Sequence, residues 1–504
     1  MSAPPREIEL KFALPPDRAS ELLAELAPLA QATPQDLTSV YFDTDRRSLK
    51  RAGLALRVRR EDDGYVQTLK GAGDGLMTRN EWEAKLQGPQ VAPELLADTP
   101  AAPLIRKERE LAPQFTIQAR RRSAQVSEGA SCVELSLDEG EAKAGDKHEA
   151  FAELELELKN GPVEGLLSLA KRIAQTSGLT LSFTTKAERG FSLTTASRRR
   201  AQKFEPPELN PETPTGEAFR AIARACLRQI VGNAEQLRGR ASPEVVHQLR
   251  VGVRRLRSMI TTFKDVVTDT RTALLKGELE WLSGELDAAR NLDVLLGDHL
   301  RAKLAPRLGS EPRRGLATHL RAARRIAYAR GATAVESERF RQLLVNLLVW
   351  IEAGPWMETP ERQAARDRPV AKFARQALEK RRRKVIKQAR KFSKLDAQAR
   401  HGLRIDSKKL RYAADVFAGL FGHQRRARRF TEHLKAVQDR LGDLNDLVVG
   451  DALAKEVAAG VILPTADPAT APEPEDPAQK ERMAELVDAS EKALRDFADA
   501  KPFW

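Results

Sequence analysis

The sequence predicts an α+β chain in two parts: an N-terminal antiparallel β domain of eight strands and a C-terminal all-α domain that is internally duplicated. Three observations predict it. Short segments with alternating side-chain character recur through roughly the first 195 residues. A Pro-rich stretch ends that pattern, and beyond it apolar residues recur at helical spacing for nearly the whole remainder. A length of 504 residues is also too great for one ordinary core.

The expected strands, in order, are Glu7–Phe12, Ser39–Asp43, Ala55–Arg60, Val66–Lys70, Arg79–Leu86, Phe115–Arg121, Cys132–Asp138 and Phe151–Lys159. Turn-forming stretches such as Gly71-Ala72-Gly73-Asp74-Gly75 separate several of them, and helical patches interrupt at Asp17–Leu29 and Val163–Thr176. Eight antiparallel strands with few helices suggest a closed barrel or a sandwich. The domain boundaries read as 1–197 for the β domain, 198–212 for a Pro-rich linker and 213–504 for the helical domain. A second Pro/Ala/Glu-rich loop is expected over roughly 463–478, before a last helix.

The helical domain repeats itself. His247-Gln248-Leu249-Arg250-Val251-Gly252-Val253-Arg254-Arg255-Leu256-Arg257 returns 154 residues later as His401-Gly402-Leu403-Arg404-Ile405-Asp406-Ser407-Lys408-Lys409-Leu410-Arg411. Each copy is followed at similar distance by a related element, Arg290-Asn291-Leu292-Asp293 and Leu444-Asn445-Asp446. Duplication is the economical explanation, with repeats at about 213–360 and 370–504.

The net charge of +14, from 85 Lys+Arg against 71 Asp+Glu, predicts a polyanionic partner: nucleic acid, a membrane surface or a phosphate polymer. Only Cys132 and Cys226 occur, which fits a reducing compartment and excludes a disulfide framework or a Cys-based zinc site. The N-terminus has no apolar signal core, and the most apolar run, Leu343 to Ile351, is shorter than the roughly 18 residues a membrane span needs. A cytoplasmic location with no membrane partner is the default expectation.

Residues two apart on a strand share a face. Glu7, Glu9 and Lys11 therefore point one way, and so do Arg57 with Arg59, Arg79 with Glu81 and Glu83, and Glu153 with Glu155 and Glu157. On most antiparallel sheets such a face meets water. Here acids and bases segregate by strand, and three acids on one face repel unless a positive charge lies between them. A barrel with a polar lumen meets both facts, because carboxylates share divalent cations while Arg and Lys grip an anion. That chemistry suits a phosphate polymer. Mg²⁺ and Mn²⁺ prefer carboxylate oxygens and bridge phosphates, and Arg offers a planar fork to phosphate oxygens.

Glu7-Ile8-Glu9-Leu10-Lys11 resembles the N-terminal ExExK signature of the CYTH domain, the triphosphate tunnel metalloenzymes. The resemblance extends through Tyr41-Phe42-Asp43-Thr44, Gly53-Leu54-Ala55-Leu56-Arg57-Val58-Arg59, Lys70, Arg79 with Glu81 and Glu83, Arg121, Asp138, Glu153-Leu154-Glu155-Leu156-Glu157 and Lys186-Ala187-Glu188-Arg189-Gly190. It implies an eight-stranded tunnel with triphosphate along its axis. Carried over to this sequence, Glu7, Glu9, Asp138, Glu153 and Glu155 would hold Mg²⁺ or Mn²⁺, with Glu83 and Glu157 as further candidates. Lys11, Arg57, Arg59, Lys70, Arg79, Arg121, Lys186 and Arg189 would grip the phosphates, and Glu7, Glu9, Lys11 and Lys70 would carry the chemistry. The implied activity is an inorganic triphosphatase in which a metal-oriented water attacks a terminal phosphorus.

At 100° per residue, His247, Arg250, Arg254 and Arg257 fall within about one quadrant of a helix, and His401, Arg404, Lys408 and Arg411 do the same in the second copy. Leu249, Val253, Leu256 and Ile260 face another side. A solvated basic face is the ordinary reading of one such helix; its return with the histidine included points to a site. These residues, with the Asn/Asp elements and the Phe503-Trp504 terminus, resemble the CHAD domain. That resemblance implies helical bundles facing across a basic groove and binding of inorganic polyphosphate, with no established catalysis. The two histidines fit either phosphate contacts or core hydrogen bonds.

Three readings compete. The first is a triphosphatase acting on tripolyphosphate, with a helical domain that recruits longer polyphosphate. The others are a polyphosphate-binding scaffold with an inactive tunnel and a nucleic-acid protein. Aromatic residues are only 5% of the chain, so base stacking has few candidates and no nucleic-acid partner is expected. Thiamine triphosphate is an alternative substrate within the same tunnel class.

Overall fold

In a computed structural model the described residues are 6–61, 64–73, 75–108, 110–175, 178–194, 200–239, 241–297, 310–458 and 477–504. The chain divides into two compact units: 1–202 with 231–240 and 335–353, and 203–230 with 241–334 and 354–504.

The first unit is built on β1 (Arg6–Leu14), β2 (Gln35–Asp43), β3 (Ala55–Glu61), β4 (Gly64–Ala72), β5 (Thr78–Leu86), β6 (Ala112–Glu128), β7 (Ser131–Ala144) and β8 (Lys147–Asn160). These are the eight strands expected from alternation, several of them longer. Their order is β5-β4-β3-β2-β6-β7-β8-β1, and β1 pairs back to β5 through Glu7 opposite Arg79, which closes an antiparallel barrel. A short β9 (Thr180–Ser182), not expected from the sequence, lies on β1 through Lys11 opposite Ser182.

Closure has one physical consequence: each strand has an inner and an outer face. Leu154 and Leu156 of β8 and Leu135 and Leu137 of β7 point outward and are fully buried. The helix Val163–Ile173, which buries Leu166, Leu167, Leu169, Ala170 and Ile173, packs on these strands. The helix Glu338–Ala353 in turn packs on that helix and on β9. The short helices Ser48–Arg51 and Ala102–Glu108 contribute to a second outer cluster with Leu49, Leu54, Leu56, Leu69, Leu96, Ala101 and Ile105.

The second unit is helical, and its elements repeat with the period read from the sequence. The helix Pro243–Thr262 is matched by Ala397–Phe417, and Thr272–Val294 by the start of Gln424–Ala458. The caps repeat as well. The Ser242 side chain accepts a hydrogen bond from the Val245 N–H, and Asp396 does the same for Ala399. Leu249, Val253, Leu256 and Ile260 are buried as their spacing predicts, and so are Leu403 and Leu410. Phe219, Phe263, Phe373 and Phe417 make ring contacts in the middle of this core, with Trp356 edge-on to Phe219. The terminal Phe503 and Trp504 pack on Phe430. The Pro/Ala/Glu-rich loop expected over 463–478 lies, up to 476, outside the described residues. No helix among the described residues is long and apolar enough to cross a membrane.

Candidate active site and basic helical face

Charged residues of several strands face the lumen. Lys70 of β4 reaches Glu7 of β1 at 2.7 Å, and Arg121 of β6 reaches Glu155 of β8 at 2.6 Å. One strand separates each pair, so both contacts run over it on the inner face of the barrel.

Asp138 of β7 and Glu153 and Glu155 of β8 bring carboxylate oxygens within 4.8 Å of one another. Asp138 and Glu153 are fully buried, and Glu155 nearly so. Three cations answer them closely, and a fourth, Arg189, lies 3.9 Å from Glu153. The guanidinium of Arg121 grips Asp138 with two hydrogen bonds of 2.7 Å and also reaches Glu155. Lys11 donates to Glu153 at 3.1 Å and lies 2.9 Å from Glu155. The ammonium of Lys186 touches all three: Asp138 at 2.7 Å, Glu155 at 2.9 Å, and Glu153. Burial alone would raise the carboxylate pKa values. Lys11, Lys186 and Arg121 outweigh it and hold Glu155 well below the ordinary range, and Lys186 with Arg121 lowers Asp138 in the same way.

The ExExK residues divide between this cluster and a second one. Lys11 belongs to the first. Glu7 pairs with Lys70, which is also 3.2 Å from Glu81, and Glu9 pairs with Arg79 at 2.7 Å. Glu7 and Glu81 share a hydrogen bond. Burial, then that bond and the negative charge of Glu7, push Glu81 up to about 7 against the pull of Lys70, while Lys70 and Glu81 hold Glu7 down against its own burial. Glu81 is therefore poised to exchange a proton near neutrality. Glu81 was not among the expected site residues, although its parity with Arg79 on β5 was visible. Arg57 approaches Glu81 only at 4.0 Å, and its Nε is buried without a hydrogen-bond partner. Arg59 is turned to Glu61 at 3.0 Å, whereas Arg189 pairs with Glu149 at 2.9 Å and keeps its other terminal nitrogen 3.9 Å from Glu153. Glu83 is exposed and accepts from Thr68, and Glu157 pairs with Lys159 at 2.7 Å, so neither joins the carboxylate cluster.

One end of the lumen is apolar. On β6, Phe115, Ile117 and Ala119 share the face of Arg121, and on β8, Phe151 shares the face of Glu153. They cluster with Tyr41 and with Phe191 of the helix Lys186–Leu193. Tyr41 stacks on Phe115 at 4.6 Å, and Phe191 meets Phe115 edge-on. A Cβ on Gly190 would lie 2.0 Å from the Phe115 ring, so only glycine lets this helix approach so closely. The helix start is fixed by a capping box between Thr185 and Glu188. Lys186, the first residue of that helix, thereby enters the lumen beside the plug.

The donor set fits a hard divalent cation. It consists of carboxylate oxygens, three of them close enough to share one ion, and the second oxygen of Glu153 is buried with no hydrogen-bond partner.

In the helical unit the basic faces of the two copies converge. Lys408 feels Arg404 and Arg411 of its own helix and Arg250 and Arg254 of the other copy. Burial first, then these four arginines, push its pKa down to about 7. His247 is held down to about 4, by burial and then by Arg290, Arg250 and Arg254, with Glu244 opposing, so it is neutral at pH 7. Two of the expected cations are paired at the margin: Arg250 with Asp287, and Arg257 with Glu280 at 2.9 Å. In the second copy, His401, Arg404 and Asn445 line a cavity of about 40 Å³ with Arg400, Ala397, Leu441 and Leu444, which joins the two halves of the repeated motif. In the first copy Asp293 accepts instead from Arg324 at 2.7 Å and from the Tyr328 hydroxyl. The side chain of Asp446 lies outside the described residues.

Comparison with known proteins gives two family matches: the CYTH domain over residues 5–191 and the CHAD domain over residues 221–455. An inorganic triphosphatase of Haemophilus influenzae is 29% identical over 201 residues, which is 37% of this chain and 55% of that protein. The similarity thus spans about half the length of that relative. An uncharacterized protein of Mycobacterium tuberculosis is 27% identical over 487 residues, 88% of this chain and 87% of that one. Among solved structures, the CHAD domain of the plant Ricinus communis is 29% identical, covering 60% of this chain and 98% of its own, with a TM-score of 0.47. A Hippeastrum protein described by its dominant triphosphatase activity is 20% identical over 35% of this chain and 90% of its own, with a TM-score of 0.27.

Proposed function

Residues 5–191 are a CYTH domain and residues 221–455 a CHAD domain, and from that premise we propose that the chain is a metal-dependent triphosphatase whose helical domain binds polyphosphate. Tripolyphosphate is the substrate of the barrel, and Mg²⁺ or Mn²⁺ its cofactor. The observation that carries the reading is the lumen itself: buried carboxylates and buried cations, interleaved across a closed barrel that one apolar end stops. A neutral organic ligand has no use for such a lining. A linear anion with its counter-ions does.

Asp138, Glu153 and Glu155, with Glu7 and Glu9 on β1, would hold the metal. When bound, the ion would neutralise phosphate oxygens and activate a water. The chain's own cations then exchange their carboxylate partners for phosphate. Arg57, with its unpartnered Nε, and Arg121 offer forks to non-bridging oxygens, while Lys11, Lys70 and Lys186 supply point charges. Phosphoryl transfer needs little covalent help, so this positioning supplies most of the catalysis. The Tyr41, Phe115 and Phe191 plug limits how far a chain can thread, which suits a short substrate entering from one side.

In the helical unit, five cations from two repeat helices surround one another. A polyanion relieves that repulsion, which supports polyphosphate as the ligand of this face. Phosphate release from tripolyphosphate, ATP and thiamine triphosphate, with and without Mg²⁺ or Mn²⁺, tests the enzymatic half. Tripolyphosphate is expected to be turned over fastest and only with metal. No release with either metal, or release indifferent to both, would overturn it.

A further inference from the structure

Among the described residues, Lys186 is the one cation paired with every member of the carboxylate cluster. We propose that it is a tethered counter-cation: its ammonium holds the place among Asp138, Glu153 and Glu155 that a divalent ion takes, and the ion must displace it to bind. The inference rests on the metal-dependent reading above and adds how the site is kept and how it is loaded.

Distances make the two occupants exclusive. The Lys186 nitrogen is 2.7 Å from Asp138, 2.9 Å from Glu155 and in contact with Glu153. A magnesium ion sits about 2.0–2.1 Å from its carboxylate oxygens. An ion bound to all three groups would take the centre that the ammonium now fills, and two cations cannot share it.

Charge makes the exchange consequential. Asp138, Glu153 and Glu155 bring three negative charges, and Lys11, Arg121 and Lys186 bring three positive ones, with the Arg189 guanidinium a further positive charge 3.9 Å from Glu153. The carboxylates are thus already fully countered, which is how buried carboxylates this close coexist. A divalent ion entering alone would leave an excess of positive charges in a largely buried space. A phosphate chain entering with it would remove them. Ion and anion are thus expected to load together, with the released ammonium turning to a phosphate oxygen.

The tether allows this motion and little else. The Lys186 backbone is pinned by the Thr185–Glu188 capping box on one side and by Gly190 and Phe191 in the plug on the other. Its four-carbon stem remains free to swing.

The test measures Mn²⁺ binding directly, by the resonance signal of the free ion, on the full chain without phosphate. Lys186→Gln is expected to bind Mn²⁺ at least tenfold more tightly than wild type, and Lys186→Arg no more tightly than wild type. Adding pyrophosphate should tighten wild type more than Lys186→Gln. Asp138→Asn separates the two readings. If it weakens Mn²⁺ binding while Lys186→Gln leaves it equal or weaker, displacement is wrong and the metal site stands. If Asp138→Asn binds as wild type does, the metal assignment itself falls, and displacement with it. Should Lys186→Gln not fold, acylation of wild-type lysines read by mass spectrometry decides. Saturating Mn²⁺ is expected to raise labelling of Lys186 severalfold, and unchanged labelling would overturn the proposal.

Discussion

The barrel lumen and the helical basic face both gather buried charge, but they resolve it in opposite ways. In the lumen five of the expected carboxylates are answered from another element: Glu7 by Lys70, Glu9 by Arg79, and Asp138, Glu153 and Glu155 by Lys11, Arg121 and Lys186. On the helical face Lys408 is surrounded by four arginines, and its pKa falls toward 7. The first site is complete in itself and takes a ligand by exchanging partners. Among the described residues the second has acidic partners only at its margin, and on the proposed reading an anion would relieve its repulsion. The first should therefore be selective and metal-gated, and the second tight, salt-sensitive and tolerant of chain length.

The largest effect expected from this contrast lies in the lumen. Glu9→Gln or Glu153→Gln removes a charge that a buried cation depends on as well as an oxygen for the metal. Several kcal/mol of transition-state stabilisation go with it, so metal-dependent tripolyphosphate turnover should fall about a thousandfold. Steady-state kinetics on protein whose circular dichroism is unchanged would check this. Turnover near the wild-type value with the same metal dependence would remove these residues from the site.

Next in size is the helical face. Replacing Arg250, Arg254, Arg404 and Lys408 together by Ala should weaken long-chain polyphosphate binding about a hundredfold, since each charge-assisted hydrogen bond contributes about 1.5–3 kcal/mol and other cations remain. The slope of log affinity against log salt should flatten, as it does for other polyanions when cations are removed. DNA at equal charge concentration should compete poorly. If it competes equally, the face is a generic basic surface and the contrast with the lumen is one of degree.

The same contrast explains what the sequence made legible. Strand parity placed Glu7, Glu9, Lys11, Arg57, Glu153 and Glu155 on shared faces, because a period of two survives whatever the fold does, while Arg121 came only with the family resemblance. The returning His-x-x-Arg helix was equally plain, since duplication copies pattern, caps included. Partners across the lumen were not legible. Nothing in β5 alone says that Glu81 meets Glu7 and takes a proton, because that pairing depends on barrel closure. The plug was hidden for the same reason: Phe115, Ile117 and Ala119 look like an ordinary core face until Arg121, on the same face, is seen inside the lumen. The short helix carrying Lys186 did have a signal, the Thr185–Glu188 capping box. Segments 231–240 and 335–353, helical in pattern, belong to the barrel's compact unit, and periodicity along a helix carries no information about which core it serves.

The smallest effect is the most specific to an unneutralised site. Lys408 has its pKa near 7 because burial and Arg404, Arg254, Arg411 and Arg250 all oppose its charge. A bound polyanion supplies the missing negative charge and raises that pKa, so binding favours the protonated amine. Well below pH 7 the amine is charged in both free and bound protein, and this residue adds no pH dependence. As pH rises through 7, the free protein loses the proton and must recover it on binding. Polyphosphate affinity should then fall by about tenfold between pH 6.5 and 8.5, within the limit of tenfold per pH unit for one proton. The ligand cannot be the cause, since its own charge only grows over that range. Stability moves the other way. The unfolded lysine holds its proton to about 10.4, so between 7 and that value the unfolded chain binds more protons than the folded one, and this residue's contribution to stability rises with pH. Lys408→Met should flatten both profiles at lower affinity, and Lys408→Arg should hold affinity high across the range. A wild-type binding curve that stays level from pH 6.5 to 8.5 would mean that Lys408 already has its counter-charge, and that the helical face resembles the lumen after all.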